Sequence, residues 1–465
     1  MGMFKIGFFQ CQIVKELPHM SMPLFIEDIR GLGCSFECIC VARNKLKDLI
    51  KYLKNKQFDL IALDYTFPVT FLNELKSLLP KCKFVIGGNG FLDTYLKSKV
   101  DFAVIGAGRG SFLSLVKALK YKSDVSKIPN LFFKSKKNNR TFVDYSGVNV
   151  DFDLKKELFP YNPFLKWIYL GFTGKDKIID PPAIIAEFGC PYRSKKLNKY
   201  YYNLTMGELS RNVLSAKAKK RIRDLFEERM RGGCSFCTCP GKHVYFSIKD
   251  TVDCLMEQVI FLQRKYGFKS FVVGSENPFR FIKQLIDRMV KEKISIKILA
   301  IRSRVDLVNK NKRLLFDIVS VAKKNNFKIS LQQLGFESFI QSDLDVYNKG
   351  YGLTENLKVV ELIQKLRDIA PRNFQDGGHG LIGINPWITL RELKKYCESA
   401  DQIEFLFDLF HFGNGLILYD SCLPIYQKLK KDGLLVEKKN DLDGWRFKDK
   451  NVPRFINDFH KKGRN

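Results

Sequence analysis

The chain has 465 residues, of which 45% are hydrophobic and 28% are charged, and its formal net charge is +30. This length is enough for two hydrophobic cores, because a single core stops growing near about 250–300 residues. No apolar run reaches the roughly 18 residues of a membrane span, and the N-terminus lacks a signal-peptide pattern. We therefore expect a cytoplasmic protein whose twelve cysteines are thiols or metal ligands rather than disulfides.

The positive charge raises nucleic acid as a partner, because clustered lysine and arginine side chains bind phosphate groups. The lysines are scattered over every predicted exposed helix face instead of being gathered on one surface. This distribution favours an ordinary solvated surface, and nucleic-acid binding is the less favoured interpretation.

The first third of the chain alternates apolar, strand-like runs with segments of helical spacing. The five apolar runs are residues 4–11, 36–43, 58–65, 83–88 and 101–108. Short buried strands separated by helices predict a parallel, doubly wound α/β sheet. Cys34, Cys38 and Cys40 lie in or just before the second run, so we interpret them as core residues rather than metal ligands.

Small residues follow the fourth and fifth strands, where ligands of such sheets bind: Gly87, Gly88, Gly106, Gly108 and Ser111. Glycine lets a backbone approach a ligand closely, although tight strand–helix turns use it as well. The stretch 87–120 resembles the second half of the cobalamin-binding domain that precedes many radical S-adenosylmethionine enzymes. The resemblance implies that these five residues bind cobalamin. Because no Asp-x-His-x-x-Gly motif is present, it also implies a cobalt whose lower face is unligated or water-ligated.

Domain boundaries follow from the irregular, proline-containing stretch between about 125 and 180. We expect a cobalamin-binding domain at 1–125 and a hairpin with a linker at 126–180. A radical S-adenosylmethionine partial barrel is expected at 181–425, followed by a C-terminal extension at 426–465.

Three cysteines carry the resemblance into the second domain. Cys190 ends an apolar strand-like run, and Cys234 and Cys237 form a C-x-x-C pair with Phe236 before the second cysteine. Joined directly, the two pieces would resemble the cluster motif of the family. The resemblance implies that the three thiolates hold a 4Fe-4S cluster with one iron left open. The basic segment 194–231 would then be an insertion inside the motif.

Two alternatives for the metal site stay open. Cys239 could replace Cys190 and give the pattern C-x-x-C-x-C, but Cys190 is favoured because it ends a strand where the family places its first ligand. A zinc ribbon would need a second C-x-x-C knuckle. The sequence has one such knuckle, and His243 is the histidine at partner spacing.

The segments that follow the cysteines resemble the family in their order, and the resemblance implies a partial (β/α)6 barrel. Six residues would bind S-adenosylmethionine: Gly274, Ser275, Glu276, Arg302, Ser303 and Gly383. Gln333 and Glu337 would point into the cavity as catalytic residues.

The chemistry that the resemblance implies begins when the reduced cluster gives one electron to S-adenosylmethionine. The resulting radical would take a hydrogen atom from an unactivated carbon of the substrate, and methylcobalamin would supply a methyl group. A C-methyltransferase is favoured, served by an electron donor of the flavodoxin or ferredoxin type. The alternatives are a radical enzyme that rearranges or cyclises its substrate, a tRNA-modifying radical enzyme and, from another class, a non-catalytic iron–sulfur scaffold.

The insertion 194–231 bears on the substrate, which the sequence does not identify. It is rich in lysine and arginine and contains three tyrosines in a row, Tyr200–Tyr202. It is either a solvated amphipathic helix or a clamp for a large, anionic substrate.

Overall fold

The computed structural model describes most of the chain, and the described residues are 3–12, 21–64, 66–87, 91–106, 108–137, 140–147, 167–172, 181–192, 213–230, 233–237, 244–382, 384–402, 410–412, 416, 423–436 and 444–462. These residues contain two large sheets, each covered by helices. We refer to them below as the N-terminal unit and the barrel unit.

The N-terminal unit is built on five parallel strands in the order β5-β4-β3-β1-β2. They are β1 (Lys5–Gln12), β2 (Ser35–Ala42), β3 (Leu60–Asp64), β4 (Lys83–Gly87) and β5 (Phe102–Val104). The helices are α1 (Ser21–Gly31), α2 (Leu46–Leu53), α3 (Val69–Leu78), α4 (Phe91–Lys97) and α5 (Gly108–Tyr121). All five predicted strands are present, and the doubly wound α/β fold is confirmed; α1 has no counterpart among the predicted elements.

Helices cover both faces of this sheet. One face packs against α2, α3 and α4, and the other packs against α1 and α5. Cys34 and Cys38 lie in the second of these cores, and Cys40 is also buried. Burial raises the pKa of both Cys38 and Cys40 to about 12, because a thiolate is poorly solvated there. The interpretation of these three residues as core residues is confirmed.

Three further strands, β6, β7 and β8, extend this sheet at its two edges. The hairpin β6 (Leu131–Lys137) and β7 (Arg140–Tyr145) joins β5, and β8 (Trp167–Leu170) pairs with β2. The predicted hairpin is therefore part of the first sheet.

The second half of the insertion 194–231 joins the same sheet. Its strand β11 (Val213–Leu214) pairs with β7, and helix α6 (Ala216–Met230) follows. Ala218 and Ile222 on α6 are buried in the core beneath α2 to α4. This part of the insertion is anchored by apolar contacts and is not a fully solvated helix.

The barrel unit contains parallel strands in chain order: β9 (Ala183–Ile184), β13 (Ser270–Val273), β14 (Ile298–Arg302), β15 (Lys328–Gln332) and β17 (Phe374–Gly377). Three more parallel strands, β16 (Gly335–Glu337), β18 (His379–Leu381) and β19 (Phe410–Phe412), form a second sheet. β16 continues β15 after a two-residue break, and β18 continues β17 after Gly378. Six parallel strand positions therefore result, in agreement with the predicted partial (β/α)6 barrel.

Helices alternate with these strands because apolar residues recur at helical spacing between them. They are α7 (Ile248–Tyr266), α8 (Ile282–Lys291), α9 (Val305–Lys310), α10 (Lys312–Lys324), α11 (Gln341–Val346), α12 (Leu353–Ile369) and α13 (Leu390–Gln402). The Ser247 side chain caps the start of α7, and Gly267 ends this helix with a φ of 72°.

Smaller elements complete the barrel unit: β10 (Glu187–Phe188) with β12 (Val244–Tyr245), β20 (Leu435–Val436) with β21 (Gly444–Trp445), and helices α14 (Pro424–Lys431) and α15 (Val452–Lys462). Within the described ranges, no helix is both long and apolar enough to cross a membrane.

Candidate functional site

The residues singled out in the barrel unit follow the carboxyl ends of its parallel strands. Cys190 comes after β9 and β10, Ser275 after β13, Ser303 after β14, and Gln333 after β15. Because the carboxyl ends of parallel strands meet at one edge, these residues line the same mouth of the barrel. This is the edge at which (β/α) barrels carry their active sites.

The three predicted cluster ligands are linked in two pairs, because Cys234 acts electrostatically on Cys190 and Cys237 acts on Cys234. Cys234 and Cys237 share a tight turn, in which the Cys237 amide donates to the Cys234 carbonyl oxygen at 3.2 Å. The Cys234 side chain is close enough to Cys190 for its negative charge to raise the pKa of the Cys190 thiol. Cys190 and Cys234 are partly buried, whereas Cys237 is exposed.

Burial dominates the electrostatics of the two inner thiols. It raises the pKa of Cys190 to about 11 and also raises the pKa of Cys234. For Cys234 the positive charges of Lys349 and Arg304 act in the opposite direction. Thiols that resist ionisation this strongly become thiolates when a metal centre replaces their protons. Cysteine sulfurs are the donors that an iron–sulfur cluster takes, and this choice of donor, rather than the raised pKa values, fits such a cluster.

The described residues, Cys190, Cys234 and Cys237 included, contain no group of three or more histidine, cysteine, aspartate or glutamate side chains that could hold a single metal ion. The alternative ligands Cys239 and His243 lie outside the described residues.

Arg304 contacts the cysteine turn directly. Its Nη1 atom lies 3.5 Å from Cys234 Sγ, and its Nη2 atom donates to the Lys349 carbonyl oxygen at 2.6 Å. The guanidinium also lies over the Tyr192 ring, 3.8 Å from its centroid. Arg304 therefore links the segment after Cys190 to the segment that contains Cys234.

Residues 346–351, which we name the clamp turn, form hydrogen bonds with both segments that carry the predicted ligands. The Tyr347 carbonyl oxygen accepts from the Ser235 amide at 3.0 Å, and Asn348 Nδ2 donates to the Gly233 carbonyl oxygen at 2.7 Å. The Tyr192 hydroxyl donates to the Asn348 carbonyl oxygen at 2.8 Å. One turn thus fixes both cysteine-bearing segments, although they are far apart in sequence.

The segment predicted to bind S-adenosylmethionine lies beside Cys190. Ser275 is buried and donates to Glu187 Oε2 at 2.6 Å, and Glu187 also pairs with Arg280. Glu276 is exposed, and its negative charge raises the pKa of Cys190. A Cβ on Gly274 would lie 2.8 Å from Ile185 Cγ1. This close approach explains a glycine at the end of β13.

The other residues predicted to bind S-adenosylmethionine lie at the end of β14 or after β14 and β18. Arg302 is the last residue of β14 and pairs in register with Gln332. Ser303 is buried, and its hydroxyl donates to the Glu276 carbonyl oxygen at 3.5 Å. Gly383 lies outside the described residues.

Gln333 and Glu337 both have a left-handed backbone, with φ values of 50° and 61°. Such a conformation costs free energy for residues other than glycine, and it concentrates at functional sites. The side chain of Gln333 is exposed. Its backbone amide donates to the Gly377 carbonyl oxygen at 3.2 Å. Glu337 is held by Lys349, whose Nζ atom lies 3.1 Å from Oε1.

Three of the predicted cobalamin-binding glycines lie in the described part of the chain. A Cβ on Gly87 would meet its nearest described atom at 3.8 Å, and one on Gly108 at 3.9 Å, which are ordinary contact distances. Gly106 has a φ of 62°, which favours glycine, and Ser111 is buried on α5. Packing among the described residues therefore does not by itself require glycine at positions 87 and 108. Gly88 lies outside the described residues.

Three residues of these sites were not identified from the sequence. Lys349 lies in the stretch YNKGYG, whose glycines indicate a turn, but no sequence pattern pairs it with Glu337. Glu187 precedes the first cysteine and is a glutamate in an apolar run, which is a signal for a buried partner.

The third is Asp64, the last residue of β3. Its Oδ1 atom accepts from the Thr66 amide at 3.1 Å, while Oδ2 is buried and has no hydrogen-bond partner among the residues that the structure describes. Burial raises the pKa of Asp64 to about 7. A buried carboxyl group therefore lies at the carboxyl edge of the first sheet.

Three solved structures share this architecture. TsrM from Kitasatospora setae, a radical S-adenosylmethionine methyltransferase with cobalamin and a 4Fe-4S cluster bound, matches with a TM-score of 0.55 and 13% identity, over 92% of this chain and 78% of TsrM. TsrM with tryptophan substrate and the S-adenosylmethionine analogue aza-SAM gives a TM-score of 0.52 and 13% identity, over 92% and 76%. The apo form of OxsB, a cobalamin-dependent S-adenosylmethionine radical enzyme, gives 0.58 and 14%, over 97% of this chain and 65% of OxsB.

The likeness establishes the fold. The chain has the two-part fold of cobalamin-dependent radical S-adenosylmethionine enzymes, with an α/β sheet unit followed by a partial barrel. It spans about two thirds of the length of OxsB. Neither a family model nor a curated protein sequence matches this chain.

Proposed function

We propose that the chain is a cobalamin-dependent radical S-adenosylmethionine enzyme. The observation that carries this proposal is a partial barrel in which Cys190 follows the first strands and acts electrostatically with Cys234 of the C-x-x-C pair. A mouth of this kind is where a (β/α) barrel performs chemistry. The fold shared with TsrM and OxsB supports the same proposal.

The three thiolates would hold a 4Fe-4S cluster whose fourth iron is open to a ligand. When bound, the reduced cluster supplies an electron for the cleavage of S-adenosylmethionine, and cobalamin supplies a carrier for a methyl group. The residues that would bind S-adenosylmethionine are Gly274, Ser275, Glu276, Arg302, Ser303 and Gly383. Arg304 and the clamp turn would hold the two cysteine-bearing segments in position relative to each other.

Glu337 and Gln333 would be the catalytic residues of the barrel. Lys349 balances the charge of the Glu337 carboxylate. The carboxylate could orient a hydrogen-bond donor of the substrate or accept its proton. The exposed side-chain amide of Gln333 can donate to a substrate oxygen through its nitrogen and accept from a substrate donor through its oxygen.

The N-terminal unit would bind cobalamin through Gly87, Gly88, Gly106, Gly108 and Ser111. The position of Gly87 at the end of β4 and of Gly108 at the start of α5 supports this assignment. The carboxyl edge of a doubly wound sheet is also where such folds bind their ligands.

Methyl transfer to an unactivated carbon is the favoured reaction. Rearrangement or cyclisation of the substrate, tRNA modification and a non-catalytic iron–sulfur scaffold are the alternatives. The substrate is unknown, and the basic insertion 194–231 supports a large or anionic one. A protein of the flavodoxin or ferredoxin type would supply electrons.

The test is anaerobic reconstitution with iron, sulfide and hydroxocobalamin, followed by a chemical reductant and S-adenosylmethionine. We expect 5′-deoxyadenosine to form and the absorption spectrum to change to that of methylcobalamin. Formation of 5′-deoxyadenosine without methylcobalamin would favour the rearrangement enzyme. A full cluster without 5′-deoxyadenosine would favour the scaffold.

A further inference from the structure

Two buried cations lie next to the cysteine turn. The Lys349 side chain is 4% exposed and the Arg304 side chain is 6% exposed. Lysine and arginine are almost never this buried unless they are paired. Lys349 pairs with the carboxylate of Glu337, and Arg304 pairs with that of Asp306.

The Lys349 ammonium is fixed in place by several contacts. Its Nζ atom lies 3.1 Å from Glu337 Oε1 and faces two aromatic rings, 5.8 Å from the centroid of Phe236 and 5.5 Å from that of Tyr351. Phe236 lies between Cys234 and Cys237 in the sequence, and its ring packs edge-on against that of Tyr347. The Lys349 ammonium therefore faces the aromatic ring of the cysteine turn itself.

Lys349 lies beside the segment that carries Cys234. Its carbonyl oxygen accepts from Arg304 Nη2 at 2.6 Å, while Arg304 Nη1 lies 3.5 Å from Cys234 Sγ. The effect of a charge on its neighbours is stronger inside a protein than in water, because the effective dielectric constant is lower. A fixed pair of opposite charges thus lies beside one predicted cluster ligand.

We propose that Lys349 and Glu337 are a pair that sets the reduction potential of the cluster held by Cys190, Cys234 and Cys237. The ammonium stabilises the reduced cluster, which carries one more negative charge, and the carboxylate destabilises it. The potential of an iron–sulfur cluster depends on the charge and burial of its surroundings. This inference rests on the proposed function, because it requires the cluster.

The test is an anaerobic redox titration of the reconstituted protein, followed by electron paramagnetic resonance of the reduced cluster. A chemical reductant, titanium(III) citrate, gives one electron to the cluster, and no bond is formed or broken. The variants are Lys349→Met, Glu337→Gln, the double variant and Lys349→Arg. Lys358→Met is the matched control, because Lys358 is an exposed lysine on α12.

We expect Lys349→Met to lower the midpoint potential and Glu337→Gln to raise it. Each shift should change the ratio of reduced to oxidised cluster at the wild-type midpoint at least tenfold, which is about 59 mV for one electron. The double variant should lie between the two single variants, and Lys349→Arg should stay near the wild type. Lys358→Met should leave the midpoint unchanged.

Shifts of the same sign in Lys349→Met and Glu337→Gln would overturn the inference, since loss of packing has no reason to depend on charge sign. Shifts no larger than that of Lys358→Met would overturn it as well. If Lys349→Met fails to assemble a cluster, Glu337→Gln decides the matter alone, because a midpoint potential at or below that of the wild type would overturn the inference. A wild type that assembles no cluster would instead refute the proposed function, and the inference with it.

Discussion

The hydroxyl group of Tyr192 donates a hydrogen bond of 2.8 Å to the carbonyl oxygen of Asn348. This contact joins the segment that follows Cys190 to the clamp turn, which also holds Gly233 and Ser235. The two parts of the predicted cluster motif are therefore positioned by a third segment, distant from both in sequence. Changes in the clamp turn should affect the cluster without touching a cysteine.

Gly350 gives the sharpest test of this relationship. Its φ is 75°, and a Cβ would lie 2.2 Å from the Tyr192 hydroxyl oxygen. Gly378 is the matched control, because its φ is 61° and a Cβ there meets no atom within 4 Å. Gly350→Ala should lower the free energy of unfolding by about 1–3 kcal/mol more than Gly378→Ala, because it adds an overpacking cost.

Gly350→Ala should also lose iron to a chelator several-fold faster than Gly378→Ala. Scanning calorimetry and absorbance of the released iron complex measure the two effects. Equal behaviour of the two alanine variants would show that the clamp turn does not position the cysteine segments.

Asp64 should make stability depend on pH. Burial raises its pKa to about 7 in the folded protein, whereas the unfolded value is about 3.9. Between these values the folded chain binds more protons than the unfolded chain, so stability falls as pH rises toward 7. Asp64→Asn removes this loss, which amounts to at most about 1.4 kcal/mol per pH unit.

The Tm of Asp64→Asn relative to the wild type should therefore increase between pH 5 and pH 8. Glu74→Gln is the control, because Glu74 is an exposed carboxylate on α3. A Tm difference that stays constant over this pH range would contradict the assignment of a raised pKa to Asp64.

Glu187 should contribute both to the stability of the fold and to the binding of S-adenosylmethionine. Its side chain is 1% exposed, accepts from Ser275 and pairs with Arg280. Glu187→Gln should cost about 1.5–3 kcal/mol, the range for hydrogen bonds to charged groups. Because Ser275 would lose its charged acceptor, equilibrium binding of S-adenosylmethionine should weaken too.

The control for Glu187 is Asp287→Asn, which removes an exposed ion pair with Lys283. Exposed pairs contribute about 0.2–1 kcal/mol. Calorimetry and equilibrium dialysis separate the two effects. Unchanged binding together with a lowered Tm would make Glu187 a purely structural residue.

The insertion helix α6 should stabilise the N-terminal unit. Ile222 is fully buried against that unit, and its neighbour Lys220 is exposed. Ile222→Ala should lower the free energy of unfolding by about 2–5 kcal/mol, whereas Lys220→Ala should have little effect. Similar Tm values for the two variants would show that α6 is not anchored there in solution.

Much of the fold could be predicted because its signals are local. The strands β1 to β5 are short apolar runs bounded by polar residues, and each is visible without knowledge of its neighbours. The anchoring of α6 was not predicted, since its lysines and arginines look like a solvated face. Only the burial of Ala218 and Ile222 reveals which side of the helix packs.

The candidate site divides in the same way. Cys234 and Cys237 stand out by their C-x-x-C spacing, whereas Cys190 was predicted as a ligand because the sequence around it resembles the cluster motif of the family. The pairing of Lys349 with Glu337 and the contact of Arg304 with Cys234 were not identified, because they join residues that only the folded chain brings together. Asp64 was missed because a carboxylate at the end of a strand usually faces solvent.

The central claim is that Cys190, Cys234 and Cys237 hold a catalytic cluster, and one measurement tests it most directly. Iron, sulfide and 5′-deoxyadenosine are quantified for the anaerobically reconstituted wild type and its cysteine variants. The wild type should hold about four irons and four sulfides. Alanine at each of these three positions should abolish 5′-deoxyadenosine formation, while Cys239→Ala and Cys38→Ala retain it. A Cys190→Ala variant that keeps a full cluster and still cleaves S-adenosylmethionine would contradict the account.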